Sequence, residues 1–212
     1  MHPAPAPDAL CEAPRPGRRE QAKANNRAAI LAAARQVFAE IGYEAASVRD
    51  IIRRTELASG TFYNYFRSKE EIGAALAEDA AERLRPMLRL HGEQASGLES
   101  YLDSVVRAYF RFLLEEQGGA AAPIRALDRI PSLRMATPAQ RAVFEEVRAA
   151  LTRKLGDLLS PRADTPYLAA AAIGVARQMG EEMLARPDPD PEEAAAVAVR
   201  FMLHGLPGAA RG

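Results

Sequence analysis

A single cysteine, Cys11, occurs in a chain of 212 residues. No internal disulfide framework can form, and one thiol suits a reducing compartment. Its place in a Pro/Ala-rich tail gives it no catalytic role. Three histidines, His2, His91 and His204, lie far apart with no carboxylate or thiol at ligand spacing. That leaves no metal site to recognise, and no cofactor is expected. No apolar run approaches the roughly 18 residues that span a membrane. Residues 1–16 lack a charged start and a continuous apolar core, so they do not read as a signal peptide. Lysine is scarce too, three of 28 basic residues, which reflects codon bias more than chemistry. No Ser/His/Asp, Cys/His or phosphate-loop pattern supports an enzyme. No stretch alternates like a strand and no internal repeat is visible, so the expectation is an all-α, cytoplasmic, non-enzymatic protein.

What is present is unevenly distributed. The net charge is zero, yet residues 15–70 hold 11 Lys or Arg against 6 Asp or Glu. The first 14 residues carry −2, and residues after 70 hold 17 basic against 20 acidic groups. A basic first third on a neutral chain is the footprint of a nucleic-acid surface, or more blandly one basic helical face. The length suffices for one large or two modest domains.

The most informative stretch is SVRDIIRRTELASGTFYNYFRSK, residues 47–69. Ser47-Val48-Arg49-Asp50 has the capping-box form, in which a hydroxyl and a carboxylate exchange bonds with backbone donors three residues apart. Val48, Ile51, Ile52 and Thr55 follow at helical spacing and make one face of a short helix apolar. Residues 55–59 turn the chain. A second helix follows, on which Phe62 and Phe66 point the same way and form the core. That leaves Ser59, Gly60, Thr61, Tyr63 and Asn64 nearer the outside. Short hydroxyl and amide side chains with a glycine suit phosphate oxygens and base edges, and a helix N-terminus favours phosphate. A recognition helix in a major groove presents its N-terminal residues in this way.

GTFYNYFRSKEE resembles the signature of the tetracycline-repressor (TetR) family of bacterial transcriptional regulators. The preceding AILAAARQVFAEIGYEAASVRDI is similar to that family's first two helices, and the likeness covers roughly residues 26–72. Two positions depart from the usual pattern: Glu56 stands where the family has a turn glycine, and Ala58 where it has a serine. Ser59 then caps the next helix one residue late, or the turn is looser. The resemblance implies a DNA-binding, ligand-responsive homodimer, most simply a repressor of a near-palindromic operator, nucleoid-associated when bound. By the same resemblance Thr61, Tyr63 and Lys69 hold phosphates, while Tyr65 either does so or packs. Ser59, Gly60 and Asn64 face the groove, and Asn64 suits adenine. Arg49 reads guanine, or is simply solvated or phosphate-bound. Ser47 is both cap and phosphate ligand. The alternative function is an all-α interaction module or ligand-binding protein that has lost DNA binding.

In chain order, residues 1–20 form a proline-rich tail whose Arg15, Arg18 and Arg19, with Lys23, make a basic arm or a merely solvating segment. Residues 21–68 form the three-helix helix-turn-helix domain. Its first helix runs from about Asn25 to Ile41, with Ile30, Ala34, Val37, Phe38 and Ile41 on one stripe, and ends at Gly42. Residues 69–207 form a helical effector-binding and dimerisation domain, giving about nine helices in all, and 208–212 a tail. Ser68 to Glu71 make a second capping box, opening a helix that Pro86 ends or kinks, the kink being a candidate pivot. Residues 98–114 are apolar on more than one side and belong in a core, and the Gly/Ala-rich residues 117–123 break that helix. Thr137, Thr165 and Asp190 each precede a proline as N-cap candidates. The helices they open carry stripes of Val143, Val147, Leu151, Leu155 and Leu158; of Leu168, Ala172, Val175, Met179 and Met183; and of Val197 and Phe201. The last two are rich in small residues, and the resemblance makes them the dimer interface, although their alanines equally suit an internal core. It also implies an effector pocket in the body, for which Met87, Tyr101, Tyr109, Phe112 and Phe144 are candidates alongside an ordinary core role. The expected effector is apolar or amphipathic; Arg125, Arg129 and Arg134 would pair with an acidic one if they are not simply exposed.

Overall fold

Helix α1 (Arg18–Ile41) opens the structure, a computed structural model that describes residues 17–116, 137–158 and 164–209. It begins well before the expected Asn25. Residues 18–25 are mostly good helix formers with no proline, but all are exposed, so no apolar stripe announced them. The tail expected for residues 1–20 therefore overlaps this helix, and Arg15 lies outside the described residues. Ile30, Ala34, Val37 and Phe38 are buried as expected, whereas Ile41 is 48% exposed on the last turn. Gly42 ends the helix at φ +80, its N–H bonding the Phe38 carbonyl at 3.1 Å. An L side chain there would be strained.

Helices α2 (Val48–Arg54) and α3 (Ser59–Tyr63) cross beneath α1 and against the first half of α4 (Lys69–Gln94). Ile30, Phe38, Ile51, Phe62 and Phe66 meet Ile72, Leu76 and Ala80 of α4 in one buried cluster. Helix α4 does not end at Pro86. It continues to Gln94 with the proline inside and exposed, where the missing N–H leaves one carbonyl of the preceding turn without its helical donor.

The body is α4 with α5 (Leu98–Glu115), α6 (Pro138–Leu158), α7 (Thr165–Ala185) and α8 (Pro191–Ala209). Among the described residues that makes eight helices and no strand. The expected break at 117–123 and Arg125, Arg129 and Arg134 lie outside them. Helix α5 is the central post, buried through Leu98, Tyr101, Leu102, Val105, Val106, Phe110 and Leu113 and in contact with α4, α6, α7 and α8. Thr137 caps α6 as expected: its N–H bonds Gln140 Oε1 and its hydroxyl accepts from Gln140 N, both at 3.2 Å. Asp190 caps α8, accepting from Glu192 N at 2.8 Å and Glu193 N at 3.1 Å. At α7 the cap is Asp164 rather than Thr165, and it accepts from Tyr167 N at 3.3 Å. Pro166 is tolerated there because first-turn N–H groups have no helical partner in any case.

Two expected stripes end differently. Leu151 and Leu155 are buried, but Leu158 is exposed, and on α8 Val197 and Phe201 are exposed while Ala195, Ala198, Val199 and Met202 are buried. The body core thus takes the neighbouring face of α8. That helix also extends to Ala209, past the boundary expected at residue 207.

Candidate nucleic-acid interface and adjoining cavity

The capping box at Ser47 is complete. Its hydroxyl accepts from Asp50 N at 3.3 Å, its N–H donates to Asp50 Oδ2 at 3.0 Å, and the hydroxyl donates to the same oxygen at 2.6 Å. These bonds hold the Asp50 carboxyl below its ordinary value, and they leave Arg49 exposed on the first turn of α2. Thr55 shapes the turn: its hydroxyl donates to the Ile52 carbonyl at 2.9 Å and accepts from Leu57 N at 3.4 Å. Ser59 does not cap α3. Ala58 occupies the cap position in an extended conformation with no side-chain acceptor, and its carbonyl takes the Phe62 N–H at 3.0 Å. The Ser59 hydroxyl is thereby left at the exposed N-terminus of the helix.

Phe62 and Phe66 are buried, and the Phe66 N–H still reaches the Phe62 carbonyl at 3.3 Å one turn past the helix proper. Above them Ser59, Gly60, Tyr63 and Asn64 are exposed and Thr61 half-buried. Tyr63 is 50% exposed and edge-on to Phe62, with ring centroids 5.8 Å apart. A Cβ at Gly60 would meet nothing within 4 Å, so the glycine leaves open space on this face. Two expected phosphate ligands have other duties. Lys69 Nζ donates to the Tyr43 and Glu44 carbonyls at 2.8 and 3.2 Å and sits 4.6 Å from the centroid of the Tyr43 ring. This staples the start of α4 to the α1–α2 connection and leaves one ammonium donor. Tyr65 is half-buried against the head core and its hydroxyl accepts from Asn26 Nδ2 at 3.2 Å, which favours the packing reading. The Tyr43 hydroxyl is buried with no partner among the described residues, and burial pushes it up to about 12.

The body contains a cavity of about 170 Å³ between α4, α5, α6 and α7. Tyr101, Tyr109, Phe112 and Phe144 line it as expected. Met87 does not. It packs, with Leu84, where the head and body cores meet. Sequence reasoning missed Leu102, Val105, Val143, Ile173 and Gln140 in the wall. The usable signal was Ala77, Ala80 and Ala81 on α4: small side chains opposite long ones leave unfilled volume. Phe112 both lines the cavity and belongs to the head core. The Arg83 guanidinium lies 5.6 Å from its ring centroid and pairs with Glu116 at 2.5 Å and Asp79 at 3.4 Å; Asp79 also pairs with Arg35 of α1. Glu78 of α4 accepts from Ala139 N at 3.1 and 3.3 Å, placing a carboxylate at the N-terminus of α6, where the helix dipole favours it. Glu146 of α6 bridges Arg89 and Arg85 of α4, and those two partners pull its carboxyl down to about 2.

A short helix with a small polar outer face, carried on buried aromatics behind a capped first helix, makes a helix-turn-helix unit. Residues 30–76 match the family model described as bacterial regulatory proteins, tetR family. Solved structures agree over most of the chain. The fatty acid degradation regulator FadR from Bacillus halodurans is 23% identical, covers 85% of this chain and 95% of its own, and has a TM-score of 0.69. The TetR family transcriptional regulator PfmR from Thermus thermophilus is 26% identical over 82% of this chain and 97% of its own, with a TM-score of 0.62. A bacterial regulatory protein in the tetR family from Rhodococcus RHA1 is 20% identical, with coverage of 85% and 96% and a TM-score of 0.66. The chain thus shares the all-α fold of these TetR-family regulators, and its residues 30–76 are similar to that family's N-terminal domain. Among the described residues no helix is long and apolar enough to cross a membrane, and no group of three or more His, Cys, Asp or Glu is placed to hold a metal ion.

Proposed function

We propose that the chain acts as a homodimeric repressor. Each protomer lays α3 into the major groove of a near-palindromic operator on the nucleoid, in the cytoplasm, and releases it when an apolar or amphipathic effector fills the body cavity. The observation that carries this reading is the outer face of α3, where Ser59, Gly60, Tyr63 and Asn64 stand exposed over the buried Phe62 and Phe66. Tyr63 and Thr61 serve phosphates, with Ser47 and the remaining Lys69 donor beside them; these contacts position the helix without reading sequence. Asn64 and Arg49 read base edges, adenine and guanine respectively. Ser59 and Gly60 let the helix approach closely.

The groove geometry requires two such faces about 34–36 Å apart, hence two copies. Val197 and Phe201, one turn apart and exposed on α8, lie beside an α7 whose Ala170, Ala171 and Gly174 are exposed as well. A small-residue surface with two protruding apolar side chains favours close helix packing against a second copy. The effector acts through Phe112, α4 and the Glu78 contact to α6. It releases DNA only as far as it prefers the DNA-incompetent arrangement of α4.

Gel-shift titration on the DNA upstream of the protein's own gene tests the reading. Tyr63→Ala is expected to weaken binding to every sequence alike. Asn64→Ala or Arg49→Ala should cost roughly 1–3 kcal/mol of discrimination at one base pair. Unchanged operator binding by Tyr63→Ala would sink the assignment.

A further inference from the structure

The cavity adjoins a second compartment of different chemistry. Leu88, Tyr101, Val143 and Val147 line it and also line a wider opening of about 540 Å³ between the C-terminal half of α4 and α6. Around that opening stand Arg85, Arg89, Arg153 and Lys154 against Glu93, Glu146 and Asp157. Glu146 accepts from Arg85 Nε at 2.7 Å and Arg89 Nε at 2.6 Å. One carboxylate thus holds two guanidiniums by one nitrogen each. Their Nη groups have no hydrogen bond among the described residues, and a planar fork of such donors matches carboxylate or phosphate oxygens. Lys154 Nζ donates to the Ala95 carbonyl at 3.2 Å and lies 5.4 Å from the Tyr101 ring centroid. Tyr101 forms the partition between the compartments. The residue is 4% exposed.

We propose that the two compartments take one anionic amphiphile, its apolar chain in the apolar cavity and its carboxylate or phosphate head against Arg85, Arg89 and Lys154. This rests on the apolar cavity being the effector site. Tyr101 stands where chain meets head, and the arginines, already oriented by Glu146, need little further ordering.

Calorimetric titration of the full chain with decanoate, decyl phosphate and decanol separates head from chain. Both anions are expected to bind roughly tenfold or more tightly than decanol. The tighter of the two identifies the head, and the advantage should shrink as salt rises. Arg89→Gln and, separately, Lys154→Gln should each reduce the anions' advantage several-fold while leaving decanol unchanged. Decanol binding as tightly as the anions would overturn the inference yet keep the cavity as a chain-binding effector site. If none of the three binds, that effector reading falls with it, and operator binding by the same preparation reports separately on the DNA-reading head.

Discussion

The helix-turn-helix head and the body are both made of amphipathic helices, but they are filled differently. In the head Ile30, Ala34, Ile51, Phe62 and Ile72 have no exposure at all and pack into one cluster. In the body Val143, Phe144 and Val147 of α6 are only half-buried, because one side of each faces empty volume. A fully packed small unit holds its surface side chains in one arrangement, which the proposed base reading requires. An unfilled core has lost contacts that a ligand can restore. The two meet at Phe112, Leu84 and Met87, so what enters the body cavity touches a side chain on which the head is built.

The largest test of this contrast is Phe62→Ala. Removing a fully buried ring from the closed head should cost roughly 3–5 kcal/mol, read as a lowered denaturation midpoint with loss of operator binding. Similar stability in the variant would mean that the head is not closed. Next comes a pair of small-to-large changes. Ala34→Leu overfills the head and should cost about 1–3 kcal/mol, whereas Ala176→Leu points at the cavity and should be neutral or stabilising while excluding effector. Equal destabilisation by both, in thermal melts, would erase the distinction. Ser47→Ala removes the α2 cap and should cost about 1 kcal/mol, with weakened DNA binding at ordinary temperature. The smallest effect expected is with pH. The Glu146 carboxyl lies at about 2 against an ordinary value of 4.5. Its contribution is therefore present above about 4.5 and lost as pH falls toward 2. Glu146→Gln should flatten that part of the urea-midpoint profile, more so at low salt.

Much of the head was legible in the sequence because its signals are local. The Ser47 box, the Gly42 stop and the Phe62/Phe66 pair each lie within a few residues, and all three stand in the structure as read. The misreadings also have local causes. Ser59 looked like a cap because a hydroxyl was sought, whereas Ala58 starts the helix through its backbone alone. The extra turns of α1 carry no apolar stripe and so no periodicity. Lys69 read as a free cation until the fold brought the Tyr43 and Glu44 carbonyls to it from 25 or more positions away.

The body was less legible because its features depend on long-range choices. Val197 and Phe201 make as good an apolar stripe as Ala195, Ala198 and Met202, and composition alone cannot say which face turns inward. Four of the five candidates named from the sequence, all aromatics on helices, line the cavity, but Met87 was not separable from them until α4 was set against α5.

By itself, then, the sequence determined the helical class, the stops and caps, and the polar outer face of α3, since each follows from residues within one or two turns. Tertiary structure decided where the body stays hollow, which arginines gather around Glu146, and which face of α8 remains outside. Those depend on the relative placement of helices separated by many residues, where packing energy is shared among alternatives that no local pattern distinguishes.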